Sequence, residues 1–255
     1  MTTALRGTAV DIPTADGTAD AYLAHPDDGR AHPAVLLYMN AFGLRPFLES
    51  MADRIAAEGY TVLVPNVFYR HGRAPLVALP EPPEPIDPAA DPTLFERLGP
   101  IMASHTAEMA VRDAGAYLDW LAESPLTSDG PVGITGYCLG AQLALRTAGA
   151  YPDRVAAAAG FHGGMLASDE EDSPHLVAGK VTAELYFGHA DQDPSLPADQ
   201  IDRLAKSLAE AGVRHTCEVY EGAPHGFTQA DTAPYHPEAA ARHWDALFAL
   251  LKRTF

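Results

Sequence analysis

Residues 131–146 read PVGITGYCLGAQLALR, an apolar run that breaks into Gly136-Tyr137-Cys138-Leu139-Gly140 and continues into a helix-forming stretch. This is the layout of a strand, a sharp turn and a helix. Small flanking residues relieve the crowding of so tight a turn, and the central side chain is pushed out over a sheet edge. Most such elbows carry serine, whereas here the position is Cys138. Its sulfur falls near a helix N-terminus, where free N–H groups favour thiolate. The stretch thus predicts a parallel strand, a helix packed on it, and a cysteine nucleophile at their junction.

The same rhythm extends along the chain. Short apolar runs predict strands at about 7–12, 18–24, 33–39, 61–65, 131–135, 155–160, 181–187 and 214–220. Between most of them, apolar residues recur at helix spacing. Leu44, Leu48, Met51 and Ile55 share one face in 44–58; Ala107, Val111, Ala114, Leu118 and Leu121 share one in 103–122. Ile201, Leu204 and Leu208 do so in 198–211, as do Ala240, Trp244, Leu247 and Leu251 in 237–252. The first two strands bracket Ala15-Asp16-Gly17, a hairpin signal. Alternating strands and helices then call for an α/β fold, a mainly parallel twisted sheet of about eight strands with helices on both faces.

The length of 255 residues suits one domain over 1–255, and a hydrophobic content of 47% provides a substantial core. The formal net charge of −17 argues against nucleic acid and anionic membranes as partners. The N-terminal MTTALRGTAVDIPTADG has no apolar core of signal-peptide type, and no run is long enough to span a bilayer. Two cysteines in unlike contexts suggest no disulfide framework, and Cys217 in RHTCEVY reads as core. The expectation is a soluble cytoplasmic protein, monomeric or homodimeric. One segment breaks the rhythm: seven of the 22 prolines fall in 72–92, which predicts a loop or a lid over a pocket.

A cysteine attacking a carbonyl needs a base, and the base an orienting carboxylate. In this topology they follow the nucleophile, acid before histidine. The strand at 181–187 runs into Gly188-His189-Ala190-Asp191-Gln192-Asp193, and that at 214–220 into Glu221-Gly222-Ala223-Pro224-His225-Gly226-Phe227. Both loops fall on the sheet edge that carries Cys138, where ligands bind in open α/β sheets. Of eleven histidines, His225 alone combines that position with a Gly/Pro turn and a following helix. Asp191 or Asp193 holds the imidazole. Asp191 is preferred because it lies nearer the strand end, whereas Asp193, followed by Pro194, reads as a turn residue. His162 and His189 also end strands and are placed at the pocket.

At these residues the chain resembles the dienelactone hydrolase family, the carboxymethylenebutenolidase-like members of the α/β-hydrolase superfamily. The resemblance runs from LLYMNAFGLRP, through EGYTVLVPNVFYRHG and VGITGYCLGAQLAL, to GHADQD and GAPHGF. It implies a carboxylic ester hydrolase that cleaves a lactone or small ester through a thiolester, with no metal or cofactor. Cys138 would be the nucleophile, Asp191 the acid, at the family's interval from Gly188, and His225 the base. Leu139 N–H and an N–H from Asn40–Ala41 would form the oxyanion hole. Phe42, Tyr137, His162, Arg45 and Arg70 complete the substrate-binding set that the resemblance suggests. Two departures stand out. Well-studied members carry an acid at Asn40, which is thought to take the thiol proton. The dienelactone-specific enzyme carries a base at Gln229 that grips the substrate carboxylate, a charge that Arg45 or Arg70 would have to supply. Other chemistries remain open on the same residues: a thioesterase or acyltransferase, or a thiol-based binding or redox-sensing protein that does not hydrolyse.

Overall fold

The computed structural model describes residues 4–80 and 83–255. Eight strands form one sheet: β1 (Leu5–Thr14), β2 (Gly17–Pro26), β3 (Ala34–Tyr38), β4 (Thr61–Pro65), β5 (Val132–Tyr137), β6 (Val155–Phe161), β7 (Glu184–Ala190) and β8 (His215–Tyr220). Their order is β1-β2-β4-β3-β5-β6-β7-β8. β1 and β2 form the expected hairpin, and β2 meets β4 antiparallel; every later pairing is parallel. The sheet is therefore mixed, with a parallel body and an antiparallel margin. The α/β expectation is met in strand number and layering.

The central strands AVLLY, TVLVP, VGITGY and ELYFGHA are buried at every position. That is the pattern of parallel strands covered on both faces. One cover is α1 (Pro46–Ala56) with α6 (Pro237–Thr254), which meet where the Arg54 guanidinium lies 4.3 Å from the Trp244 ring centre. The other includes α3 (Ala107–Glu123) and α4 (Leu139–Ala150), which pack on each other. α5 (Ala198–Glu210) joins that side through the turn at Pro174–Lys180.

The differences from the sequence expectation lie at element ends. A helix expected over 103–122 starts only at Ala107, because Thr106 caps it with a side-chain bond from Met109 N at 3.2 Å. Before it lies an unexpected helix, α2 (Thr93–Ser104), which carries Pro100 in its interior. The strand expected from 181 begins at Glu184, since Pro174–Lys180 is a 3₁₀ turn that delays it.

The proline-rich segment 72–92 is irregular where described; its residues 81–82 lie outside the described residues. It is pinned rather than loose. Ile86 N donates to Asp231 O at 2.8 Å, and Ala233 N donates to Ile86 O at 2.9 Å. Ile86 also buries itself with Leu94 and Leu98 in a small cluster separate from the main core, against which Phe42 and Met102 pack.

Two glycines seat the elbow. A Cβ on Gly136 would stand 2.0 Å from the Gly140 carbonyl oxygen, and one on Gly140 would stand 2.5 Å from Tyr38 O. No side chain fits either contact, so α4 can sit this close to β5 and β3 only with glycine at both places. Gly136→Ala is expected to destabilise the fold by about 3 kcal/mol, the upper range for overpacking. Gly179→Ala, whose added Cβ meets nothing within 4 Å, should stay within about 0.5 kcal/mol. Urea midpoints of the two variants check the contrast.

Candidate active site

Parallel pairing sets the strand ends level. Tyr38 pairs with Gly136, Tyr137 with Phe161, Phe161 with Gly188, and Ala190 with Tyr220. The residues just beyond these ends share one rim of the sheet, the carboxyl edge where open α/β sheets bind ligands. Asn40 and Ala41 follow β3, Cys138 follows β5, His162 follows β6, Asp191 and Asp193 follow β7, and His225 follows β8.

Cys138 takes φ 55° and ψ −115°. A non-glycine residue rarely adopts this backbone, and such strain collects at functional sites. Cys138 is half-buried and faces His225 in the pocket, with the N–H groups of Leu139 and Ala41 beside its sulfur. Burial pushes the thiol pKa up; the His225 charge and hydrogen bonds from these groups outweigh it and bring the pKa below the ordinary thiol value. Cys217 shows the contrary case, since burial alone pushes its thiol up to about 12.

His225 Nδ1 donates to Asp193 Oδ2 at 2.5 Å, which leaves Nε2 for Cys138. Burial by itself would lower its pKa. The negative charge on Cys138 and the hydrogen bonds to Asp193 and Cys138 reverse this and raise it to about 10. Both shifts run in the direction that favours a thiolate beside an imidazolium. The Asp193 side chain is 3% exposed. Its burial opposes the carboxylate charge, but bonds from His225 and Ser195 win and hold its pKa low.

This geometry corrects the choice of Asp191. The carboxylate of Asp191 accepts from Gly222 N at 2.9 Å, and its own N–H donates to Ala223 O at 2.8 Å. Asp191 thus ties the β7 end to the loop carrying His225 and does not touch the imidazole. Asp193 is indeed a turn residue, and the turn aims it: Oδ1 accepts from Ser195 N and Ser195 Oγ, at 2.8 and 2.7 Å, leaving Oδ2 for His225. The Asp193-Pro194-Ser195 run was the available signal, an Asx turn that fixes a carboxylate.

A pocket with about 430 Å³ of empty space, partly open to solvent, lies over Cys138 and His225. Asn40, Ala41, Phe42 and His162 line it as expected, joined by Gln229 and Thr232. Pro88 of the proline-rich segment and Phe95 of α2 close its outer side, and sequence reasoning missed both as pocket residues. His162 is fully buried, with Nε2 2.7 Å from Thr228 Oγ1 and its ring 5.2 Å from that of His225. Burial, with the His225 charge, keeps His162 neutral.

Four residues expected at the pocket fall elsewhere. Tyr137 points into the core, where its hydroxyl meets His243 Nε2 at 3.0 Å and its ring stacks on Phe161. Along a strand successive side chains alternate in direction, so the residue before the nucleophile turns away from the rim. Arg70 is bound to Asp113 and Asp16 away from the pocket. Arg45 lies behind the pocket wall, 5% exposed, bonded to Asp231, Asn40 and Gln229. His189 is buried beside Phe187, its ring stacked 6.0 Å away, and does not line the pocket.

The model of the dienelactone hydrolase family matches residues 19–255. The carboxymethylenebutenolidase of Rhodococcus opacus is 28% identical over 223 residues, covering 87% of this chain and 81% of its own. A Synechocystis protein assigned as a carboxymethylenebutenolidase is 27% identical over 256 residues, 99% of this chain and 98% of that one. In fold, a Klebsiella pneumoniae protein assigned as a dienelactone hydrolase matches with a TM-score of 0.83 at 24% identity, covering 97% of this chain and 98% of its own.

Alkylation by iodoacetamide follows the thiolate fraction, so its rate rises with pH through the Cys138 pKa. A lowered pKa keeps the thiolate at lower pH, and the midpoint should fall below the ~8.5 of a free cysteine. His225→Ala removes the largest effects opposing burial, leaving only the two backbone N–H groups, and should move the midpoint above that value. Asp193→Asn should move it part of the way, and Asp191→Asn should leave it in place. Equal shifts in the two aspartate variants would contradict the assignment of Asp193.

Proposed function

The chain belongs to the dienelactone hydrolase family, and we propose that it hydrolyses a carboxylic ester or lactone through Cys138, His225 and Asp193. The observation that carries this reading is the placement of Cys138 against His225 in the pocket, His225 being itself held by Asp193 at 2.5 Å. Two backbone donors stand at the sulfur, where an ester carbonyl oxygen would develop charge. The proline-rich segment serves as a fixed cover of a single hydrolase domain. A reducing cytoplasm would suit both free thiols. Among the described residues, no helix is long and apolar enough to cross a membrane.

The Cys138 thiolate attacks the carbonyl carbon, and the C=O electron pair moves onto oxygen, which Leu139 N–H and Ala41 N–H receive. Collapse of this intermediate breaks the C–O bond to the alcohol. The departing oxygen takes the proton from His225 Nε2, leaving a thiolester and a neutral imidazole. Water then gives a proton to His225 as its oxygen attacks the thiolester. Collapse expels the thiolate, releases the carboxylic acid and restores the ion pair. Asp193 keeps Nδ1–H engaged throughout, which fixes the tautomer and stabilises the imidazolium.

This scheme needs no acid at position 40. Asn40 Oδ1 accepts from Arg45 and from Phe42 N, at 2.9 and 3.3 Å, so this oxygen is already committed as an acceptor. With His225 already holding the thiol proton, no separate group has to take it when substrate arrives.

Cys138→Ala is expected to lower turnover of 4-nitrophenyl acetate at least ~10⁴-fold, the scale seen when an activated nucleophile is removed. In the unaltered protein, rapid quench and intact-mass measurement should show one acyl group added per chain, absent from Cys138→Ala. Undiminished turnover in that variant would end the proposal.

A further inference from the structure

Every donor of the cation nearest the pocket is already committed. A guanidinium has five N–H groups. In Arg45 the Nε–H and one N–H of NH2 bond the two oxygens of Asp231, at 2.6 and 3.0 Å. The other N–H of NH2 bonds Gln229 Oε1 at 2.9 Å, and those of NH1 bond Asn40 Oδ1 and Gly43 O at 2.9 and 3.2 Å. The Phe42 ring, 5.7 Å from the guanidinium carbon, lines the pocket, and Arg45 does not. No lysine or arginine is among the residues lining the pocket.

The remaining groups make the pocket electronegative. His225 lies between Cys138 and the Asp193 carboxylate; wherever the proton shared by sulfur and imidazole sits, the three together carry one net negative charge. His162 adds no compensating charge. The outer wall is Phe42, Pro88, Phe95 and Pro234, apolar carbon that offers a carboxylate neither a donor nor a counter-charge. An anion entering here would lose much of its water and meet no lysine or arginine in return, which is unfavourable.

We propose that this site takes uncharged esters or lactones with an apolar acyl chain and discriminates against substrates bearing a carboxylate, Arg45 being withheld from substrate by Asp231 and Gln229. The inference rests on the hydrolytic reading above and names the substrate class of that same site.

A matched pair tests it: 4-nitrophenyl hexanoate and mono-4-nitrophenyl adipate, which differ only in a terminal methyl against a carboxylate. After subtraction of spontaneous hydrolysis, kcat/KM should favour the hexanoate by more than about a hundredfold. A smaller ratio would overturn the inference. Asp231→Asn removes the counter-charge of Arg45 and should narrow the ratio about tenfold, through faster adipate turnover. Phe95→Arg, at a rim position 47% exposed and tolerant of substitution, should narrow it similarly and does not depend on the buried network. A ratio unchanged in both variants would also overturn it. If neither ester is turned over, the hydrolytic reading itself fails; if the hexanoate is turned over and the adipate equally well, only this inference fails.

Discussion

The structure depends on one close approach, the seating of α4 against the ends of β3 and β5. Gly140 lies so near Tyr38 O that a Cβ would stand 2.5 Å from it, and Gly136 lies nearer still to Gly140 O. This proximity forces Cys138 into its positive φ, because the chain has to reverse from strand to helix within one residue. It also sets the first helical N–H, that of Leu139, against the Cys138 sulfur. The same approach brings α4 next to the loop after β3, which supplies the second donor at Ala41. Fold and chemistry are therefore joined at a steric constraint.

Around that point the ionisable groups divide into two closed sets. The first is Asp193, His225 and Cys138, linked in series with Ser195 bracing the carboxylate. The second is Asp231 and Arg45, outside the pocket lining, with Asn40 and Gln229, which line it and bond Arg45. Each set satisfies its buried charges internally, as buried ion pairs require. The first leaves one reactive sulfur facing the pocket. The second leaves no cationic donor there, and it holds the loop from Asn40 to Gly43 that carries the Ala41 N–H.

Much of this was legible in the chain, and the limits have physical causes. The eight strands showed as apolar runs because a sheet covered on both faces selects such residues at every position. The elbow was legible because a strand-to-helix turn so tight demands small residues at fixed spacing. Asp193 was misread because closeness to the strand end was weighed above turn chemistry, although the turn itself aims the carboxylate. Tyr137 was misplaced because neighbours along a strand point oppositely, so adjacency to the nucleophile removes a residue from the rim. Arg45 was read as a possible substrate contact because its partner Asp231 lies 186 residues away, a pairing that no local pattern announces. The helix Thr93–Ser104 escaped because prolines before and within it obscure the helical period.

The resting arrangement also bears on how the barrier is lowered. The N–H groups of Leu139 and Ala41 serve the thiolate before substrate binds, and they are the donors an ester oxyanion would use. In the proposed attack, negative charge would move from sulfur to oxygen inside one fixed set of dipoles. Little has to reorient as it moves, which is the condition under which preorganised donors act most strongly. His225 beside them keeps the field favourable to an anion at that point, yet Asp193 leaves the set as a whole with one net negative charge. A charge created there by reaction is thus stabilised, whereas a charge carried in by the substrate finds no partner. Stabilising the oxyanion and rejecting an anionic substrate follow from the same buried electrostatics.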